Sequence, residues 1–132
     1  MNRTLVYAIA IVLALNAPTL AQDAAIGEKL FTQCKACHLI GDATGNKSGP
    51  TLNNLFGRVP GTLEGYNFSP AMVAFGEENG AWTPELFTEY IANPRKIVRG
   101  TKMAFAGVRQ PDRIEHLKAF LLTHSPDYQT AE

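Results

Sequence analysis

Five consecutive residues, Cys34-Lys35-Ala36-Cys37-His38, carry the most definite chemistry in this sequence. Two cysteines separated by two residues, with a histidine directly after the second, have the spacing in which both thiols add to the vinyl groups of one haem and the imidazole ligates its iron. A single backbone turn brings both sulfurs to the same porphyrin edge while His38 projects over the ring face. A structural or redox-active disulfide is the weaker reading, because the strand and helix alternation of a thioredoxin-like domain is missing. A zinc site is weaker still: it needs further ligands at metal spacing, and only His116 and His124 remain, far along the chain.

Haem iron needs a sixth ligand or an open position. Past the N-terminal segment the available donors are Met72, Met103, His116 and His124. Met103 sits in Arg99-Gly100-Thr101-Lys102-Met103-Ala104-Phe105, an aperiodic stretch after a helix stop at Asn93-Pro94, where a thioether can reach inward from a loop. Met72 lies in Ser69-Pro70-Ala71-Met72-Val73-Ala74-Phe75, which reads as a capped helix start, a setting where methionine more often fills core. Met103 is therefore the expected ligand.

The elements that must position these residues read as all-α. Asp23 is a plausible cap for a first helix in which Ile26, Leu30, Phe31 and Cys34 recur at helical spacing. Thr83-Pro84 opens another, with Leu86, Phe87, Tyr90 and Ile91 on one face and a stop before Pro94. A last helix from near Pro111 carries a stripe of Ile114, Leu117, Phe120 and Leu121, suited to packing on the first, where Gly27 allows close approach. After His124 the tail reads as polar and mobile. No repeat or β-alternation interrupts the pattern.

Residues 1–21 read as a secretory signal peptide: Arg3, an apolar run from Leu5 to Leu15, then Pro18 to a small-residue cleavage site at Ala21. That run is far shorter than the roughly 20 residues of a spanning helix, although an uncleaved signal anchor would tether the protein to the membrane. Residues 22–132 then form one domain, in which eleven Lys plus Arg face twelve Asp plus Glu. Such a balance argues against nucleic-acid and anionic-membrane partners.

Cys34 to His38, Gly49-Pro50, Gly57-Arg58, Asn93-Pro94 and Gly100-Thr101-Lys102-Met103-Ala104-Phe105 follow one another in an order that resembles class I c-type cytochromes, above all the bacterial periplasmic (cytochrome c2-like) and mitochondrial-type members. The resemblance implies the class I cytochrome c fold, short helices and loops wrapped around one haem c held through Cys34 and Cys37. It implies that the Pro50 carbonyl accepts the outer N–H of His38, and that Arg58, Trp82, Ser69 and Thr101 bond or neutralise the haem propionates. Tyr90 would lie near the axial sulfur of Met103 and Phe105 over the exposed haem edge. Phe68 stands where a propionate-bonding tyrosine is common, so Tyr66 is expected to take over that hydroxyl. Arg99 replaces a common proline before the ligand loop.

The function implied is a monomeric single-haem electron carrier of the periplasm and not an enzyme, shuttling between Fe(II) and Fe(III). Its redox protein partners would be of the kind of a membrane cytochrome complex, oxidase, reaction centre or dehydrogenase. A labile methionine would instead suit a haem-based gas-binding sensor or a peroxidase-like protein. Arg95, Lys96, Arg99 and Lys102 lead directly to Met103 and form a candidate docking patch, while Glu77, Glu78, Glu85 and Glu89 gather elsewhere.

Overall fold

The computed structural model describes residues 20–128. The expected signal segment lies outside the described residues apart from its last two positions. Among the described residues there are five helices and no strand: α1 (Leu20–Phe31), α2 (Pro70–Asn79), α3 (Pro84–Ala92), α4 (Pro94–Ile97) and α5 (Pro111–Thr123).

Helix starts follow local chemistry. Ser69 is extended (φ −66°, ψ 149°), its hydroxyl accepts the Met72 N–H at 3.1 Å, and Pro70 supplies a first-turn residue with no N–H to satisfy. Thr83 and Pro84 repeat the device for α3, with the Leu86 N–H at 3.1 Å. Asn93-Pro94 is more than a stop: Asn93 ends α3, then its side-chain oxygen accepts the Lys96 N–H at 3.3 Å and opens the one-turn α4. The expected cap at Asp23 is corrected, since α1 begins at Leu20 and Asp23 lies in its first turn, 3.3 Å from His116 Nδ1 on α5. A carboxylate inside the first turn still meets the positive end of the helix dipole.

The frame is the crossing of α1 and α5. Phe31, Ile114, Leu117, Phe120 and Leu121 are all buried there, and the Phe31 and Phe120 rings stand 5.2 Å apart. Gly27 touches the His116 carbonyl so closely that a Cβ would collide with it and would come within 2.7 Å of Phe120 Cβ.

The C-terminal tail corrects another expectation. Beyond α5 the His124 carbonyl accepts the Asn54 N–H at 2.7 Å, and the Ser125 hydroxyl, buried, accepts the Phe56 N–H at 3.3 Å. The Tyr128 ring lies 5.7 Å from that of Phe56. Residues 124–128 of the tail are thus stitched to the 54–57 turn, because the buried amide of Phe56 needs an acceptor that the turn itself does not supply; the rest of the tail lies outside the described residues.

Gly27→Ala decides between two opposed magnitudes. Alanine gains about 1 kcal/mol of helix propensity, whereas overpacking a tight backbone contact costs about 1–3 kcal/mol. Net destabilisation is expected, read as a lower denaturation midpoint at unchanged slope; a raised midpoint would show that the crossing is looser than these distances.

Candidate functional site

The cysteine motif is a continuation of α1. Past Phe31 the chain keeps turning, with Cys34 N–H donating to the Phe31 carbonyl at 2.8 Å and Cys37 and His38 N–H both donating to the Cys34 carbonyl, at 3.1 and 2.9 Å. One tight turn therefore places both thiols and the imidazole on one cavity, with Cys37 at its exposed side. Gly49 then passes under the ring: a Cβ there would sit 2.5 Å from His38 Cε1, while its N–H donates to the Cys37 carbonyl at 2.8 Å.

These groups open on a cavity of about 480 Å³ whose wall is mainly apolar, with Phe31, Leu52, Phe87, Leu117 and Leu121 among its residues. That volume falls within the roughly 300–1,000 Å³ of small-molecule and cofactor sites. Each of the twelve residues singled out from the sequence lines it: Cys34, Cys37, His38, Pro50, Arg58, Tyr66, Ser69, Trp82, Tyr90, Thr101, Met103 and Phe105. Met72 and Phe68 line it too, whereas His116 and His124 do not.

Three of the polar groups set into this mainly apolar wall have a definite proton. His38 Nδ1 lies 2.7 Å from the Pro50 carbonyl oxygen, which can only accept, so Nδ1 carries the hydrogen and Nε2 keeps its lone pair. Burial lowers the His38 pKa, the Pro50 bond opposes this, and the Arg58 charge lowers it further, so the ring is a neutral donor.

Tyr90 donates its hydroxyl to Met103 Sδ at 3.3 Å, and Thr101 Oγ1, 3.5 Å from the same hydroxyl, accepts the Met103 N–H at 3.2 Å. Burial raises the Tyr90 pKa, which keeps the phenol protonated for this role.

Arg58 is the third. Its guanidinium donates to the carbonyls of Thr51 at 3.0 Å and Asn53 at 3.5 Å, and no carboxylate pairs with it among the described residues. Burial lowers its pKa. A half-buried guanidinium without a counter-ion, on an otherwise apolar cavity, calls for an anionic group on whatever fills that space. Two backbone bonds of 2.9 Å, Trp82 N–H to Arg58 O and Gly57 N–H to Trp82 O, hold Arg58 and Trp82 in register.

The remaining residues are placed with more nuance. Ser69 spends an oxygen lone pair on the Met72 cap and keeps its hydrogen for a further acceptor. Tyr66 donates its hydroxyl to the Ser48 carbonyl at 2.7 Å, and its ring meets Phe68 edge-on at 4.7 Å, so the 65–69 segment is braced against the 48–50 turn. Lys102, taken from the sequence as a docking charge, also ties down the loop that carries Met103: its Nζ donates to the Asn67 carbonyl at 2.6 Å. Neither Asn67 nor Thr51 and Asn53 stood out in the sequence, because each acts through a backbone carbonyl that any residue would offer.

The cysteines argue against redox disulfide chemistry. Cys34 and Cys37 are free, and burial, with the neighbouring Cys37 second, pushes the Cys34 thiol up to about 11. Disulfide exchange wants the opposite, a thiol tuned down toward neutrality. Two thiols, a neutral imidazole, a thioether and an unpaired guanidinium around an apolar space together fit a haem c: the thiols would take its vinyl groups, the imidazole and thioether would hold its iron, and the guanidinium would meet its propionates.

Comparison with known proteins agrees with this chemistry. The Cytochrome c family model matches residues 24–124. Cytochrome c2 of Blastochloris viridis is 45% identical over 125 residues, covering 95% of this chain and 96% of the relative. Among solved structures, cytochrome c2 from Rhodospirillum centenum superposes with a TM-score of 0.74 at 32% identity, over 79% of this chain and 99% of the other. Cytochrome cH from Methylobacterium extorquens gives 0.70 at 39% identity, over 76% and 98%.

The Gly49 cradle yields a direct test. Gly49→Ala places a methyl against the imidazole and must displace the His38 ring or the 48–50 turn, at an overpacking cost of about 1–3 kcal/mol. A drop in denaturation midpoint is expected; an unchanged midpoint would mean that the ring tolerates displacement.

Proposed function

Because this chain belongs to the cytochrome c family, we propose that it works as a periplasmic single-haem electron carrier in which His38 and Met103 would hold the haem iron. The carrying observation is that His38 and Met103, distant in sequence, line one cavity with both attachment cysteines. When bound, the haem supplies an iron that cycles between Fe(II) and Fe(III). The chain's part is to hold donors still through that change. Pro50 fixes the His38 tautomer and orientation, Thr101 and Tyr90 fix Met103, and the Lys102 bond to the Asn67 carbonyl ties the loop that carries Met103 to the 65–69 segment. Apolar walls exclude water, and Arg58 offsets the negative charge of propionates.

The protein is an electron carrier and not an enzyme. The gas-sensor and peroxidase-like alternatives find no support: the relatives reported above are cytochromes c2 and cH. The hydroxyl on the Met103 sulfur and the Lys102 strap favour a held ligand over a labile one. Export to the periplasm follows from reading residues 1–21 as a cleaved signal. Among the described residues no helix is long and apolar enough to cross a membrane.

Haem is expected to stay with the protein through acid-acetone extraction, because thioether bonds at Cys34 and Cys37 survive denaturation. Met103→Ala is expected to abolish the weak far-red sulfur-to-iron absorption of the oxidised protein and to lower its potential. Survival of both would hand the role to Met72.

Docking belongs to the exposed Arg95, Lys96 and Arg99 beside the ligand loop, facing an acidic surface on a redox partner. Electron transfer to such a partner should slow as salt shortens the Debye length from about 30 Å at 0.01 M to about 10 Å at 0.1 M. Lys96→Gln with Arg99→Gln should flatten that dependence at unchanged potential; Lys102 stays untouched because it holds the loop. A parental salt slope in the variant would move docking to another face.

A further inference from the structure

α2 is seated backbone to backbone. Gly76, buried on its inner side, rests on the Pro60 carbonyl so closely that a Cβ would collide with it and would lie 3.2 Å from Val59 Cγ1. The facing turn answers with its own glycine: Gly61, at φ +80°, has space for a Cβ only 2.7 Å from Val73 Cα. Such paired glycine contacts let two backbones meet with nothing between them, which defines the depth of the helix to within a methyl group.

That depth is transmitted to the ligand side of the cavity. Phe75, next to Gly76, packs its ring 5.8 Å from Trp82 and 6.3 Å from Tyr90, and Trp82 and Tyr90 are 5.2 Å apart. Tyr90 in turn holds the Met103 sulfur at 3.3 Å. The first turn of α2 meets the same loop directly, with Ala71 Cβ within 3.4 Å of where a Gly100 Cβ would stand.

We infer that Gly76 is a positioning residue for the electron-transfer site: its seat on Pro60 sets Phe75, and through the Phe75, Trp82 and Tyr90 rings it sets the hydroxyl that bonds the Met103 sulfur. The inference rests on the assignment of Met103 as a ligand. A hydroxyl on the sulfur draws electron density from it, and a sulfur without that bond donates more strongly and favours the oxidised state. Losing the bond therefore lowers the potential. Gly76→Ala lifts α2 and acts by that route, although residue 76 itself does not line the cavity.

The experiment is a double-mutant cycle on the holoprotein, read by potential and far-red absorption. Tyr90→Phe sets the reference shift. Gly76→Ala is expected to move the potential the same way by at least half that shift with the far-red band retained, and to add almost nothing in the Tyr90→Phe background. No shift, or a full additive shift in that background, overturns the inference. If Gly76→Ala does not fold, Phe75→Leu tests the link through which the seat must act: no shift, or a full additive shift in the Tyr90→Phe background, breaks that route and overturns the inference, whereas a non-additive shift supports it. Failure of the ligand assignment is separately visible: the parent protein would lack the far-red band, or Met103→Ala would keep it.

Discussion

Among the described residues, four helices of two turns or more and a single-turn fifth have to wall an apolar space of about 480 Å³. Nearly every other feature answers that constraint. Helices of 9 to 13 residues cannot enclose such a volume by side-by-side packing, so connecting segments form much of the wall. Irregular backbone next to an apolar interior must satisfy its own polar groups. The turns do so locally, and where they fail a distant segment completes them, as Ser125 does for the Phe56 amide.

Two of the polar groups in that wall share one solution. His38 and Arg58 both bond to backbone carbonyls, of Pro50 and of Thr51 and Asn53, so their positions depend on the path of the chain and not on mobile side-chain partners. Tyr90 differs, since its hydroxyl serves a thioether, a weak acceptor. Its placement must come from packing instead, which is why the aromatic cluster with Trp82 and Phe75 bears on the sulfur. Rigid donors suit an electron carrier, where little reorganisation between oxidation states is the requirement.

Lys102 shows how closely surface and interior are joined. It is exposed and basic, as a docking residue should be, yet its Nζ donates to the Asn67 carbonyl. A charge that looks free in the sequence is spent on holding the loop that carries Met103.

The sequence by itself determined the chemistry and most helix starts, because those depend on contacts within a few residues: the spacing from Cys34 to His38, Ser69-Pro70, Thr83-Pro84, and the stripe on α5. The one-turn α4 was legible in Asn93-Pro94 as a cap and first-turn proline, but the same dipeptide also reads as a stop. What only the tertiary structure decided involves partners whose residue type is immaterial or whose separation is long. These are the carbonyls that receive Arg58 and Lys102, the tail residues that complete the 54–57 turn, and the Tyr66 hydroxyl turned to Ser48. Backbone carbonyls leave no signature in a sequence, and a glycine such as Gly76 reads as a weak point in a helix until the Pro60 carbonyl is seen against it.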